Sequence, residues 1–190
     1  MNNLEAVSDA ELYRRMCDGD FPKHERDAAF TEIYRRYSPR LYAYCRRIMG
    51  DDAAAHDAFQ ETFVRFFTAA DRDRTMTNLP AYLLRIARNV CLNTKRSSHP
   101  TVELEDFHMV TRSSPYENDE LAELLAHALQ LLPVEYREAF VLHEYQGFSY
   151  AEIGEMIGVS ADVVKVRAFR ARQKLRAILA PYFFDRTEES

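Results

Sequence analysis

The chain has 190 residues, 47% of them hydrophobic, with 25 Lys and Arg against 30 Asp and Glu for a net charge of −5. That length holds one ordinary domain or two small ones, and the apolar content excludes a disordered chain. The negative total excludes a nucleic-acid binder held by overall charge, leaving only one that concentrates its basic residues on particular faces.

Five glycines, no tryptophan and little clustering of β-branched residues point to an all-α protein. No run reaches the roughly 18 apolar residues of a membrane span. The opening MNNLEAVSDAELYRR carries acids and no apolar core, so no secretory signal and a cytoplasmic location are expected. Cys17, Cys45 and Cys91 are an odd number at wide spacing and read as reduced, buried thiols; no metal or cofactor is expected.

In chain order, Ser8 and Asp9 open a short amphipathic helix that ends at Asp18-Gly19-Asp20. Residues 27–49 set Phe30, Ile33, Tyr34, Tyr37, Leu41, Tyr44 and Ile48 on one helical face, with Pro39 expected to kink or break the helix near Ser38. The next helix, 52–68, turns Phe59, Phe63, Val64 and Phe67 toward a core and leaves Asp57, Gln60, Glu61 and Arg65 outward. Taken alone, that outward set is an ordinary solvated face.

A polar loop, 69–79, contains Arg72 and Arg74; Asn78 stands as a cap before Pro80, which is expected at the first helical position. The helix over 81–96 hides Tyr82, Leu83, Ile86, Ala87 and Val90 and shows Arg85, Arg88, Asn89, Leu92, Lys95 and Arg96. A basic face with no acid on the same helix is a candidate phosphate track. Residues 97–117 lose helical periodicity and gain Ser, Thr, Pro and acids, which makes them a flexible linker between two small helical domains, 1–96 and 118–190. Beyond it Leu121, Leu124, Leu125, Ala128, Leu129 and Leu132 recur at helical spacing, and Pro133 separates that helix from VEYREAFVLHEY.

Residues 147–176, GFSYAEIGEMIGVSADVVKVRAFRARQKLR, carry the most specific pattern. Ser149 and Glu152 form a capping box, worth about 1 kcal/mol, for a short helix that buries Ile153 and Ile157. Gly154 permits close approach of another helix, Gly158 stops the first one, and Ser160 caps the second. Two helices joined by a three- to four-residue turn with glycine make a helix-turn-helix. Wound at 100° per residue, the second helix buries Val164, Ala168, Ala171, Leu175 and Ile178. Asp162, Lys165, Val166, Phe169, Arg170 and Gln173 lie opposite, with Arg167, Arg172, Lys174 and Arg176 spread around them. Exposed Val166 and Phe169 among cations suit a helix in the major groove, where apolar groups meet thymine methyls while cations reach phosphates and guanine edges.

Five blocks in this order and spacing carry a family resemblance: YRRYSPRLYAYCRRIMGD (34–51), DAFQETFVRFF (57–67), LPAYLLRIARNVCLNTKR (79–96), LPVEYREAFVLHEYQGFSYAEIGEMIGVS (132–160) and VKVRAFRARQKLR (164–176). Together they resemble the extracytoplasmic-function sigma factors, the bacterial sigma factors reduced to domains 2 and 4. The resemblance implies domain 2 at 1–96 and domain 4, with the helix-turn-helix, at 118–190. Partners so implied are core RNA polymerase, through its large-subunit clamp helices and flap, promoter DNA and an anti-sigma factor.

It also implies that Asp57, Gln60 and Glu61 dock on the clamp helices. Arg72, Arg74, Asn78, Arg85, Arg88, Asn89 and Arg96 would then melt and hold the −10 element, and Ser160, Asp162, Lys165, Val166, Arg167, Phe169, Arg170 and Gln173 would read the −35 element. Extruding a base costs only a few kcal/mol, which a pocket and phosphate contacts offset. The acidic linker, with Glu103, Glu105 and Asp106, would thread the RNA exit path. The chain departs from the family pattern at Asp162 and Val163, where many members have Gly-Thr, at Val166, where they have serine, and at Tyr82, where they have tryptophan. No long extension follows residue 176, so no added carboxy-terminal domain is expected.

Two other readings compete. A stand-alone helix-turn-helix repressor or response-regulator-like protein needs only 118–181, and leaves the basic face at 85–96 and the Asp57-Gln60-Glu61 set unused. An enzyme needs a catalytic constellation. His143-Glu144 begins like a zinc-protease signature, but Gly147 stands where the second histidine belongs, and His24, His56, His99, His108 and His127 make no ligand spacing.

Overall fold

A computed structural model of the chain describes residues 4–70, 76–97 and 117–184. Among the described residues every regular element is helical. The chain divides into two compact units, Met1–Thr94 and Lys95–Ser190. The linker expected at 97–117 lies almost wholly outside the described residues, as do Arg72 and Arg74.

In the first unit a single 3₁₀ turn, Leu4–Ala6, precedes α1 (Asp9–Cys17), α2 (Lys23–Met49), α3 (Asp52–Thr68) and α4 (Leu79–Ser97). Ser8 and Asp51 cap α1 and α3 by accepting hydrogen bonds from Glu11 N and Ala54 N, and Gly50 ends α2 at φ 80°. Leu12, Tyr13 and Met16 of α1 pack with Ile33, Leu41, Tyr44 and Ile48 of α2 and Phe63 and Phe66 of α3 in a closed core. Phe66 in turn meets Tyr82 of α4 with ring centroids 6.1 Å apart, which joins α4 to this aromatic core.

Cys45 and Cys91 are buried as expected, but Cys17 is only half-buried, and three features of the helices also differ from the sequence expectation. First, α2 is unbroken through Pro39. An internal proline costs about 3 kcal/mol, and here both halves of the helix are pinned. Ala29 and Ile33 are buried on one side of it, and Leu41, Tyr44, Cys45 and Ile48 on the other.

Second, Val64 and Phe67 are exposed, at 56% and 52% of their surface. Winding α3 at 100° per residue explains this: Ala55, Ala58, Phe59, Thr62, Phe63 and Phe66 already fill the buried stripe. Val64 falls on the far side, among Asp57, Gln60 and Glu61. Third, α4 begins one residue earlier than expected, with Asn78 Oδ1 accepting from Ala81 N at 3.0 Å and Pro80 in the second helical position. Its inner stripe takes in Leu84 and Cys91, while Tyr82 and Ile86 are only half-buried.

A charge network ties the amino-terminal segment to α2. Arg35 Nε and Arg36 Nε donate to the Glu32 carboxylate at 2.9 and 2.7 Å. Arg36 also reaches Asp9 at 3.0 Å and the carbonyls of Leu4 and Glu5 at 2.8 and 2.9 Å, and the Tyr37 hydroxyl donates to Asp9. Burial, followed by that bond to Asp9, pushes the Tyr37 hydroxyl up.

In the second unit, α5 (Glu117–Gln130) leads to α6 (Val134–Phe140), which widens into a π-helical turn, Val141–Tyr145; α7 (Tyr150–Ile157) and α8 (Ala161–Phe184) follow. Helix α8 packs on α5, α6 and α7, through Val164, Ala168, Ala171 and Leu175. Arg137 on α6 is 3% exposed and donates to the carbonyls of Leu129, Gln130 and Leu132 at 2.7, 2.7 and 3.1 Å. These acceptors lie at the end of α5 and in the loop after it; Leu129 O also accepts from Leu132 N at 3.2 Å. Burial pulls this guanidinium down to about 10.

Hydrogen bonds from Arg35 and then Arg36 hold the buried Glu32 carboxyl at about 2, against an ordinary value of 4.5. A carboxyl depressed by folding stabilises above its unfolded value and loses that contribution as pH falls toward its folded value. Stability to urea should therefore decline from about pH 5 toward about pH 2. Glu32→Gln should lower stability at neutral pH and flatten part of that decline, Glu11, held at about 2 by Arg14 and Arg15, accounting for another part. Urea midpoints of both proteins across this range check it.

Candidate nucleic-acid interface

The helix-turn-helix is built from reciprocal capping. Ser149 Oγ accepts from Glu152 N at 3.3 Å, and Glu152 Oε2 accepts from Ser149 N at 2.8 Å. The Ser149 hydroxyl also donates to Glu152 Oε2 at 2.7 Å; that bond, then the one from Ser149 N, pulls the Glu152 carboxyl below the usual range, and α7 starts at Tyr150. Gly158, at φ 76°, ends α7 in the left-handed region that an L side chain rarely adopts. Ser160 Oγ then accepts from Val163 N at 3.4 Å, so α8 begins after a turn of Gly158, Val159 and Ser160.

Gly154 faces that turn rather than another helix. A Cβ there would stand 2.7 Å from Val159 O and 3.3 Å from Ala161 N. In α7 it is Ile153 and Met156 that are buried; Ile157 is half-buried.

On the outer face of α8, Ser160, Asp162, Lys165, Arg170 and Gln173 are exposed, Arg167 is half-buried, and Val166 and Phe169 keep 47% and 53% of their surface in solvent. These residues share one face because the four buried positions, 164, 168, 171 and 175, take the other. Ser160 is engaged by its cap.

A groove of about 420 Å³ opens on this face. Asp162, Val163, Val166, Arg167 and Arg170 of α8 line it, opposite Glu135 and Tyr136 of α6. The two α6 residues were not legible in sequence as part of the face, since nothing local to 133–145 marks them.

Arg172 belongs to the scaffold. It donates to Glu144 at 2.7 Å and to the Tyr150 hydroxyl at 3.4 Å, which push its guanidinium further up, the tyrosine contributing most. His143 stacks on Tyr150 with centroids 4.2 Å apart and has Nδ1 2.9 Å from Phe148 O. The pair that resembled a zinc-protease start is thus packing between the π-helical turn, α7 and α8.

Arg85, Asn89 and Arg96 are exposed along one stripe of α4 and Arg88 is half-buried beside it; Asn78 is exposed but commits its carbonyl oxygen to the cap. On α3, Asp57 and Gln60 are exposed, and Glu61 pairs with Arg65 at 2.7 Å. The exposed Val64 and Phe67 extend this set with an apolar surface that the sequence reading assigned to the core.

Residues 33–100 match the family described as Sigma-70 region 2, and residues 122–175 match Sigma-70, region 4. Over 174 residues the chain is 33% identical to the ECF RNA polymerase sigma factor SigM of Mycobacterium tuberculosis, spanning 90% of this chain and 85% of that protein. The chain belongs to the ECF RNA polymerase sigma factors. It is also 32% identical over 155 residues to the RNA polymerase sigma factor CarQ of Myxococcus xanthus, covering 80% of this sigma factor and 89% of CarQ. Among solved structures it is similar to the sigma factor RpoE of Bartonella quintana, determined with the anti-sigma factor NepR, at TM-score 0.64 and 25% identity over 80% of this chain and 96% of that one. It is likewise similar to CnrH, determined with the cytosolic domain of CnrY, at TM-score 0.69 and 25% identity over 91% and 97% of the two chains. Membership makes this chain a factor for promoter-specific transcription initiation. The repressor reading is not favoured, because it left residues 33–100 without a use.

Since the atoms facing Gly154 are backbone, they cannot swing aside for a methyl group. Gly154→Ala should cost about 1–3 kcal/mol in urea unfolding, the range for overpacking, whereas Ser149→Ala should cost about 1 kcal/mol. Equilibrium unfolding of the two variants followed by circular dichroism ranks them.

Proposed function

We propose that the second unit reads the −35 element with the outer face of α8 and that the first unit binds core polymerase with α3 and the −10 element with α4. The observation that carries the −35 assignment is the exposure of Val166 and Phe169 among Lys165, Arg167, Arg170 and Gln173. Apolar groups beside cationic donors are what thymine methyls, guanine edges and phosphates require together. Ser160 contributes by fixing the start of the helix, and Asp162 stands in the first turn, where recognition helices approach base edges.

For the clamp helices, Asp57, Gln60 and Glu61 supply polar contacts, and the exposed Val64 and Phe67 supply apolar area suited to a protein partner. For the −10 element, the stripe of Arg85, Asn89 and Arg96 with Arg88 offers a phosphate track, joined by Asn78 and by Arg72 and Arg74 of the preceding loop. Domain 2 would comprise residues 1–96 and domain 4 residues 118–190, each binding its element weakly and both together tightly through effective concentration. The chain would act in the bacterial cytoplasm, without catalytic chemistry of its own, under an anti-sigma factor of the kind seen with RpoE.

Run-off transcription with core RNA polymerase and a library of randomised −35 and −10 elements tests this. Transcripts that depend on the protein and arise from a narrow set of promoters are expected. Specific duplex binding by the protein alone, with no transcripts, would replace this reading with the repressor. On the same library, Arg170→Ala should cost about 1–3 kcal/mol at one −35 base pair and relax the preference there. Arg176→Ala, exposed two turns beyond Phe169 and away from the first turns of α8, should weaken all promoters evenly and reduce the salt slope by about 1.

A further inference from the structure

The groove beside α8 has a wall that belongs to a different helix. Tyr136, in the first turn of α6, accepts a hydrogen bond at its hydroxyl from Arg170 Nη1 at 3.1 Å, across 34 residues of sequence. Arg170 is exposed and lies on the reading face; Tyr136 is half-buried.

An exposed arginine has many rotamers, and a guanidinium can grip a guanine edge in bidentate fashion only when its plane is set. A hydrogen bond to Nη1 sets that plane while leaving the Nε and Nη2 edge available as a two-donor fork. Tyr136 is well placed to do this because its own position is fixed. Its neighbour Arg137 is buried and bonded to three carbonyls at and after the end of α5, so the first turn of α6 cannot drift relative to the rest of the unit.

We propose that Tyr136 is a positioning residue for base readout, holding Arg170 so that its guanidinium selects guanine at one base pair of the −35 element. The proposal rests on the reading of α8 as the −35 helix. It adds α6 to the apparatus that decides sequence preference, through a side chain that need not touch a base.

The test uses the full-length protein with core RNA polymerase on promoters randomised in the −35 element, comparing Tyr136→Phe, Arg170→Ala and the double variant. Tyr136→Phe removes only the hydroxyl, and its thermal midpoint should match that of the parent. It should reduce the preference for guanine by about threefold to tenfold, the range for one ordinary solvent-accessible hydrogen bond, at the same base pair where Arg170→Ala abolishes it. Preferences at other positions should stay as they are, and adding Tyr136→Phe to Arg170→Ala should change nothing further. An unaltered preference in Tyr136→Phe, an even loss across all promoters, or effects that add to those of Arg170→Ala would overturn the positioning role. If Arg170→Ala itself leaves every base preference intact, the assignment of α8 as the reading helix falls, and this proposal with it.

Discussion

At Gly154 the backbone of α7 comes so close to the turn after it that no side chain fits between them. The rest of the second unit depends on this approach. Val159 N bonds back to Gly154 O at 3.0 Å, Gly158 adopts the left-handed conformation that reverses the chain, and Ser160 opens α8 at once. A helix started three residues after another one ends has little freedom in direction. Its buried stripe of Val164, Ala168, Ala171 and Leu175 then fixes its rotation, and rotation decides that Val166, Phe169 and Arg170 face outward.

A second constraint acts from the other side. Burying a guanidinium is costly unless its donors are satisfied, and Arg137 satisfies them with main-chain oxygens at and after the end of α5. The same bonds occupy carbonyls where the helix ends and its own hydrogen-bond ladder runs out. One residue thus locks α5 to α6, and α6 presents Tyr136 to α8. Arg172, bonded to Glu144 and Tyr150, closes the circle between the π-helical turn, α7 and α8. The outer face of α8 proposed to meet DNA is therefore braced by side chains outside the proposed reading set.

In the first unit the division of labour follows helix rotation. The aromatic stripe of α3 is buried against α1 and α2, and what is left outward is an acidic and amide set with Val64 and Phe67 among it. On α4 the outward stripe is basic. A chain of negative total charge can carry a nucleic-acid interface because opposite charges are placed on different helices, and beyond about 10 Å at moderate salt they are screened from one another.

What the sequence by itself determined was everything decided by neighbours along the chain. The Ser149-Glu152 capping box, the Gly158 stop, the Ser8 and Ser160 caps, and the stripe at 164, 168, 171 and 175 all depend on spacings of a few residues, and each was legible as such. The family pattern was legible for the same reason, as five local blocks in order. What only the tertiary structure decided depends on groups that are distant in sequence. Pro39 sits in an unbroken helix because contacts on both sides hold it; Val64 and Phe67 are exposed because other apolar residues had already filled the shared interface. Gly154 proved to accommodate a turn rather than a helix. Arg137 and Tyr136 are adjacent, yet one is buried to bind α5 and the other reaches Arg170 of α8. Local pattern assigns a residue to a helix and a side of it; which partner waits on that side is settled only when the helices pack, because packing joins residues whose separation along the chain carries no periodic signal.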